Sequence, residues 1–424
     1  MRWLYTLLLY LIMPLVLLHL LWRGLGDRAY LKRWSERFGV FNPPEHTGGI
    51  VVHAASVGEV NVAGALVKSL ARRFPDHPVY LTTFTPTGSE RVRGLFRDEV
   101  FHVYAPLDLP GAVKRFYERV QPRLLIIMET EIWPNFYFGA SSRNIPILIA
   151  NARISEHSFG AYRRLRKLTA ATLNQVSCIA AKSQVDADRF VEIGADRQRI
   201  EVTGNLKFDV TLPPSLLEQG ETIRMAWGAN RLVLLAGSTH EGDEQPVLNA
   251  FSRLLKKFPQ ALLVMVPRHP ERFARVAQAA RAAGLEVSLR SEGISCPPST
   301  QCFVIDAMGE LLQFYAASDV AFVGGSLDRI GGHNVLEPAA LARPVLVGPH
   351  TFNFEDITDQ LVTADAAIRV SNSAELEEAT ARLFSRPERR DQMGQAGLKL
   401  VRSGQGALER TLKLVDELIT AVTG

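Results

Sequence analysis

Arg123-Leu124-Leu125-Ile126-Ile127-Met128-Glu129-Thr130-Glu131-Ile132-Trp133-Pro134-Asn135 decides the fold. A strand with one wet face alternates apolar and polar side chains. The Leu124–Met128 run does not alternate, so it reads as a strand buried on both faces, as in a parallel sheet covered by helices. Two acids directly after such a strand are costly unless they are paired or face a cleft. A helix start, where the macrodipole favours acids, is the plainer alternative.

Outward from this stretch the same alternation recurs. Strands are expected at 49–54, 78–83, 100–104, 123–128, 145–150, 176–181 and 200–203, with amphipathic segments such as 60–73 and 186–193 between them. Leu212-Pro213-Pro214-Ser215 reads as a linker. Beyond it, strands are expected at 232–236, 261–266, 286–289, 302–305, 320–323, 344–347 and 367–370, with helices including 245–257, 272–283, 335–342 and 374–384. The 424 residues are too many for one core. Two doubly wound α/β halves of similar size, residues 38–211 and 212–424, place a ligand at the carboxyl ends of their strands.

Residues 1–37 form a third segment. Leu4 to Trp22 reads LYTLLLYLIMPLVLLHLLW, without a charge. As a helix it spans roughly 28 Å, close to a bilayer's hydrocarbon thickness. Pro14 is better tolerated there than in a soluble helix. The run ends in Trp22-Arg23 rather than in the small residues of a cleavage site, so an anchor is expected, with a buried or surface-lying helix as the alternative. Arg2, Arg23, Arg28, Lys32, Arg33 and Arg37 stand against Asp27 and Glu36, which accounts for the whole net charge of +4. Five of these bases follow the apolar run, so the large remainder should face the cytoplasm. The basicity is local, and nucleic acid is not an expected partner.

Cysteines at 178, 296 and 302, without a CxxC, exclude a disulfide framework and a cysteine zinc site. P-loop, HExxH and GxSxG patterns are absent. Asp186-Ala187-Asp188 resembles a metal-binding DxD by letters only and reads as a surface helix start; no metal or cofactor is expected. The candidate chemistry lies at strand ends. His53-Ala54-Ala55-Ser56-Val57-Gly58-Glu59 turns from a strand into a helix, with Glu59 expected to expose its carboxylate in the first turn. A capping box from Ser56 to Glu59 fits the same spacing. Asn151-Ala152-Arg153 follows another strand, and Lys207 lies where it could face an anionic substrate or pair with Asp209. Arg163, Arg164, Arg166 and Lys167 read as a phosphate or membrane contact, or simply as a solvated helix face. In the second half Gly237-Ser238-Thr239-His240, Pro267-Arg268, Met308-Gly309-Glu310, Gly324-Gly325-Ser326 and Gly331-Gly332-His333-Asn334-Val335-Leu336-Glu337 mark successive strand ends, a pattern suited to a nucleotide. Glu337 is placed to take the two hydroxyls of a ribose.

SVGE, METEIWPN, NARIS, TGNLKFD, STHEGDE, VPRHPERF, FVGGS, GGHNVLEPA and GPHTFNF, in this order along essentially the whole chain, closely resemble the 3-deoxy-D-manno-octulosonic acid (Kdo) transferases of lipopolysaccharide assembly. The resemblance implies a GT-B architecture, two Rossmann-like domains facing across a cleft. It implies CMP-Kdo as donor, a tetra-acylated, bisphosphorylated lipid A precursor as acceptor, and an inverting transfer at the bacterial inner membrane. By the same resemblance Glu59 is the general base, and Glu129 and Lys207 stabilise the transition state. CMP contacts fall on Pro267, Arg268, Met308, Gly309, Glu310, Asn334, Val335, Leu336 and Glu337. The alternatives are a UDP-sugar transferase or epimerase on the same fold, a tethered binding protein without turnover, and a secreted hydrolase.

Overall fold

The computed structural model describes residues 1–423. The chain forms two compact units, one of residues 1–209 and the stretch from 405 onward, the other of residues 210–404. In the first, β1 (Ile50–His53), β2 (Val79–Thr83), β3 (Phe101–Tyr104), β4 (Leu124–Met128), β5 (Ile147–Ala152), β6 (Cys178–Ala181) and β7 (Ile200–Val202) form one parallel sheet in the order β3-β2-β1-β4-β5-β6-β7. Every residue of β4 is fully buried, as its unbroken apolar run requires. The strand order reverses between β1 and β4, whose register pairs His53 with Ile127.

The second unit repeats the plan. Its β8 (Val233–Thr239), β9 (Leu262–Pro267), β10 (Val287–Leu289), β11 (Cys302–Val304), β12 (Val320–Val323), β13 (Val345–Val347) and β14 (Ala367–Arg369) run parallel in the order β10-β11-β9-β8-β12-β13-β14. Its reversal lies between β8 and β12. All the expected strands are present; β8 continues to Thr239, beyond the expected end at Ala236.

The carboxyl-terminal stretch departs from the expected 212–424 domain. Its helix, Ala407–Thr423, packs on the Val57–Arg73 helix of the first unit. Ala407, Leu412, Leu414, Val415 and Ile419 enter the first unit's core. Asp209 accepts hydrogen bonds from the Gly406 and Leu408 N–H groups, both at 2.7 Å, and so holds the start of this helix. An apolar helix face shows in the sequence that it needs a core, but not which core receives it.

The amino-terminal helix runs from Arg2 to Gly26 and is long and apolar enough to cross a membrane. Its first half packs against the rest of the first unit. Tyr5 donates to Asp108 at 2.9 Å, Asn135 donates to Thr6 at 3.0 Å, and Leu9 and Met13 pack beside Leu107, Leu109 and Ala112. Trp3, Leu4, Leu7, Leu8, Leu11, Leu15, Leu18 and Trp22 remain exposed. The basic flank is less free than its composition implies. Arg37 is buried between the rings of Phe84 and Tyr104 and donates to the Phe84 carbonyl at 2.9 Å. Arg33 pairs with Glu36 at 2.6 Å and donates to Ser89 at 2.9 Å. Arg28 and Lys32 stay exposed.

Candidate active site

In open α/β sheets ligands gather where the strand order reverses. β1 and β4, the two strands flanking that point in the first unit, end in the segments that carry Glu59 and Glu129. Ser56 caps the Val57–Arg73 helix, its hydroxyl accepting from the Glu59 N–H at 3.4 Å. The Glu59 carboxylate folds back over this turn and accepts from the Ala55 N–H and the Ser56 hydroxyl, both at 2.9 Å. The capping geometry is therefore present and fixes the acid's orientation. The carboxylate is not exposed as expected: Glu59 is 8% accessible. Burial, with the negative charge of Glu131 next and Glu129 also contributing, pushes its pKa up to about 8 despite those two hydrogen bonds.

Glu129 and Glu131 lie in an irregular segment before the Pro134–Ser141 helix, not in its first turn. Glu129 holds a left-handed backbone, φ +56°, which is uncommon for a non-glycine residue and costs on the order of 1–3 kcal/mol. Arg153 donates to its carboxylate at 2.7 Å. Glu131 accepts from the Trp133 indole at 2.8 Å, and burial raises its pKa. The Trp133 ring lies 4.9 Å from that of buried His53, which bonds Thr82. Asn151 is also left-handed, φ +52°, and its side-chain oxygen accepts from the Leu206 N–H at 3.0 Å. The end of β5 thereby positions the short Leu206–Phe208 turn that carries Lys207. The carboxylate of Asp209, two residues beyond Lys207, holds the start of the last helix.

The reading of Asp186 as surface is overturned. It is buried and accepts from the Ile154 N–H at 3.0 Å, tying two loops together. Arg163 and Arg166 reach Glu192 and its carbonyl and are otherwise solvated.

In the second unit the segments following β8 and β12 meet at the reversal. A Cβ on Gly324 would lie 2.6 Å from the Ser238 carbonyl, so only glycine lets these turns approach. Asp243, fully buried, accepts from the N–H groups of His240 (2.9 Å), Gly325 (2.6 Å) and Leu327 (3.0 Å). This carboxylate is the clasp of the site, and the sequence reading did not single it out. Its signal was an acid at the third position of a helix that follows a glycine-containing turn. Arg272 holds Glu244 by two bonds, at 2.8 and 2.6 Å. His240 and His333 stack, their Nε2 atoms 2.9 Å apart, so one ring nitrogen donates and the other accepts. Burial, then the charge effects of His240 and Arg268, push His333 down to about 4.

Pro267 ends β9, and the Arg268 N–H donates to the Thr239 carbonyl at 3.0 Å. The Arg268 guanidinium meets no carboxylate among the described residues. Met308 is exposed beside Gly309, φ +87°, and Glu310 is paired with Arg290 at 2.9 Å. Asn334 donates to Glu337 at 3.1 Å and accepts from the Leu336 N–H at 3.1 Å, which fixes Val335, Leu336 and Glu337 in one turn. Burial raises the Glu337 pKa. Uncharged donors, open glycine backbone and an uncommitted guanidinium on successive strand ends suit a phosphorylated ligand.

The profile of the 3-deoxy-D-manno-octulosonic-acid transferase (kdotransferase) family matches residues 32–210. A 3-deoxy-D-manno-octulosonic acid transferase of Haemophilus influenzae is 41% identical, covering 98% of both chains. The chain belongs to this family. A further Kdo transferase, from Bordetella pertussis, is 35% identical over 90% of each chain. Among solved structures, UDP-GlcNAc 2-epimerase from Neisseria meningitidis aligns with 87% of this chain and all of its own, at TM-score 0.56 and 15% identity. A glycosyltransferase from Rickettsia africae aligns with 88% of this chain and 99% of its own, at TM-score 0.54 and 14% identity. At such identities the likeness concerns the fold, and that fold is GT-B-like: two Rossmann-like α/β units. The Kdo-transferase assignment makes the chain a glycosyltransferase of lipopolysaccharide biosynthesis, as the order of its motifs implied.

Proposed function

We propose that the chain transfers Kdo from CMP-Kdo to a hydroxyl of the tetra-acylated, bisphosphorylated lipid A precursor, with inversion at the anomeric carbon. The observation that carries this reading is the buried, doubly hydrogen-bonded carboxylate of Glu59 at the strand-order reversal. Glu59 takes the acceptor hydroxyl proton as its oxygen attacks the anomeric carbon, and the bond from that carbon to the CMP phosphate oxygen breaks. Raising a carboxylate towards neutral pH strengthens it as a base, which is what proton abstraction from an alcohol needs. Glu129 favours the positive character developing on the sugar, and Lys207 the charge on the departing group. Pro267, Arg268, Met308, Gly309, Glu310, Asn334, Val335, Leu336 and Glu337 contact CMP.

The apolar amino-terminal helix and the exposed Arg28 and Lys32 support attachment to the cytoplasmic face of the inner membrane, where a lipid acceptor is held in reach. The test is mass-spectrometric: CMP-Kdo generated in situ, the tetra-acylated precursor and the full chain. A product heavier by Kdo units is expected. No product from folded protein that binds CMP would sink the acceptor assignment, and failure to bind CMP would sink the donor.

A further inference from the structure

The docked amino-terminal helix closes a cleft of about 360 Å³ against the first unit. Its lining includes Arg2, Lys114, Arg143 and Ser142, with Trp3 and Phe138 among its apolar walls, and contains no carboxylate. Arg2 stacks on the Phe138 ring at 4.6 Å, while Arg143 donates to the Gly139 carbonyl at 3.0 Å and keeps its remaining donors available. Lys114 is exposed and makes only a loose 3.7 Å contact to Glu118. The cleft is therefore lined by cationic and apolar side chains together. Trp3 continues directly into the exposed row Leu4, Leu7, Leu8 and Leu11. Because Tyr5 and Thr6 are bonded to Asp108 and Asn135, this half of the helix has protein on one side and offers only the other to lipid. The cationic lining of the cleft and the exposed apolar row of the helix therefore lie next to each other.

We propose that this cleft holds the phosphate of an anionic phospholipid headgroup, with Arg2, Lys114 and Arg143 around the phosphate and the acyl chains following the exposed helix face. The proposal rests on the membrane attachment argued above, but not on the identity of donor or acceptor. The continuity of cationic pocket and apolar row favours a lipid over free phosphate, since a soluble anion has no use for the apolar row.

The experiment is vesicle co-sedimentation of the full chain, using phosphatidylcholine vesicles with and without phosphatidylglycerol. Lys114→Gln/Arg143→Gln is compared with Arg28→Gln/Lys32→Gln, which removes the same charge from the flank; a thermal melt confirms that both variants fold. Wild type should prefer the anionic vesicles. The cleft variant should lose that preference by about tenfold or more, because Lys114 and Arg143 line the pocket and would touch the phosphate itself, beyond the several-fold per group that any base near an anionic surface contributes in both variants. The flank variant should lose less. Equal loss in both variants would reduce the effect to net charge and overturn the proposal. Release of wild type by millimolar inorganic phosphate at constant ionic strength would mark a free-phosphate site and overturn it. A loss confined to neutral vesicles doped with the tetra-acylated precursor would assign the cleft to the acceptor's phosphates and overturn it as well. Wild type that sediments with neither vesicle would overturn the membrane reading itself.

Discussion

At the scale of single residues, Glu59 carries two interpretations that the sequence left side by side: the structure contains the cap, and the proposed role as base is compatible with it. The Ser56 cap orients the carboxylate, and burial beside Glu131 and Glu129 makes it a stronger base. Glu59→Gln should lower transfer by about 10²–10⁴-fold while CMP binding persists, since Glu59 is not among the proposed donor contacts. Transfer and CMP titration on the same sample test this, and retained turnover would remove Glu59 from the mechanism. The base acts deprotonated, so with a pKa of about 8 transfer should climb as pH rises from 7 and level off above 9. Glu131→Gln removes the second-largest cause of the upward shift and should move this limb to lower pH. A pH profile of kcat/KM for both proteins tests the assignment. The stability sign is opposite. A carboxyl whose folded pKa is raised favours folding fully below its unfolded pKa, near 4.5, and loses that contribution as pH rises through about 8. Glu59→Gln should therefore be relatively more stable at pH 9 than at pH 5, as urea melts would show.

At the scale of elements, what was legible followed from hydrophobic pattern. Unbroken apolar runs such as Leu124–Met128 announce doubly covered strands, and both sheets formed where such runs stood. Catalytic candidates were legible because polar residues at the ends of those runs break the pattern. What the pattern hid was the partner of each polar residue. Asp186 and Asp243 are acids at helix starts, yet both are buried, Asp186 accepting from the Ile154 N–H and Asp243 from the N–H groups of Gly325 and Leu327. Arg37 counted as membrane-facing charge, yet Phe84 and Tyr104 enclose it. Long-range partners of this kind leave no local periodicity. Asp243→Ala should test the clasp. Removing a buried acceptor of four N–H groups, those of His240, Gly325, Leu327 and Asp328, strands those donors and should destabilise the second unit by about 3–5 kcal/mol. Urea unfolding measures the loss, and donor affinity should fall with it because Gly325 and Leu327 lose their hold.

At the scale of the whole molecule, in the proposed function attachment falls to the amino-terminal helix and chemistry to the strand ends. Removing residues 1–22 should release the protein from membranes while transfer to detergent-dispersed acceptor falls far less; fractionation and the mass-spectrometric assay measure the two sides. Unchanged fractionation would leave the helix without its role.

The return of residues 405–423 to the first unit has a consequence for how the protein is made. Ala407, Leu412, Val415 and Ile419 complete a core whose other members, from Ile50 to Leu206, leave the ribosome much earlier. The intervening unit has all of its strands before this last helix is synthesised. During translation the first-made unit must therefore wait, with an apolar patch of the Val57–Arg73 helix uncovered, until residues 405–423 emerge. A premature stop near residue 405 would spare the later-made unit and leave the earlier one permanently unfinished.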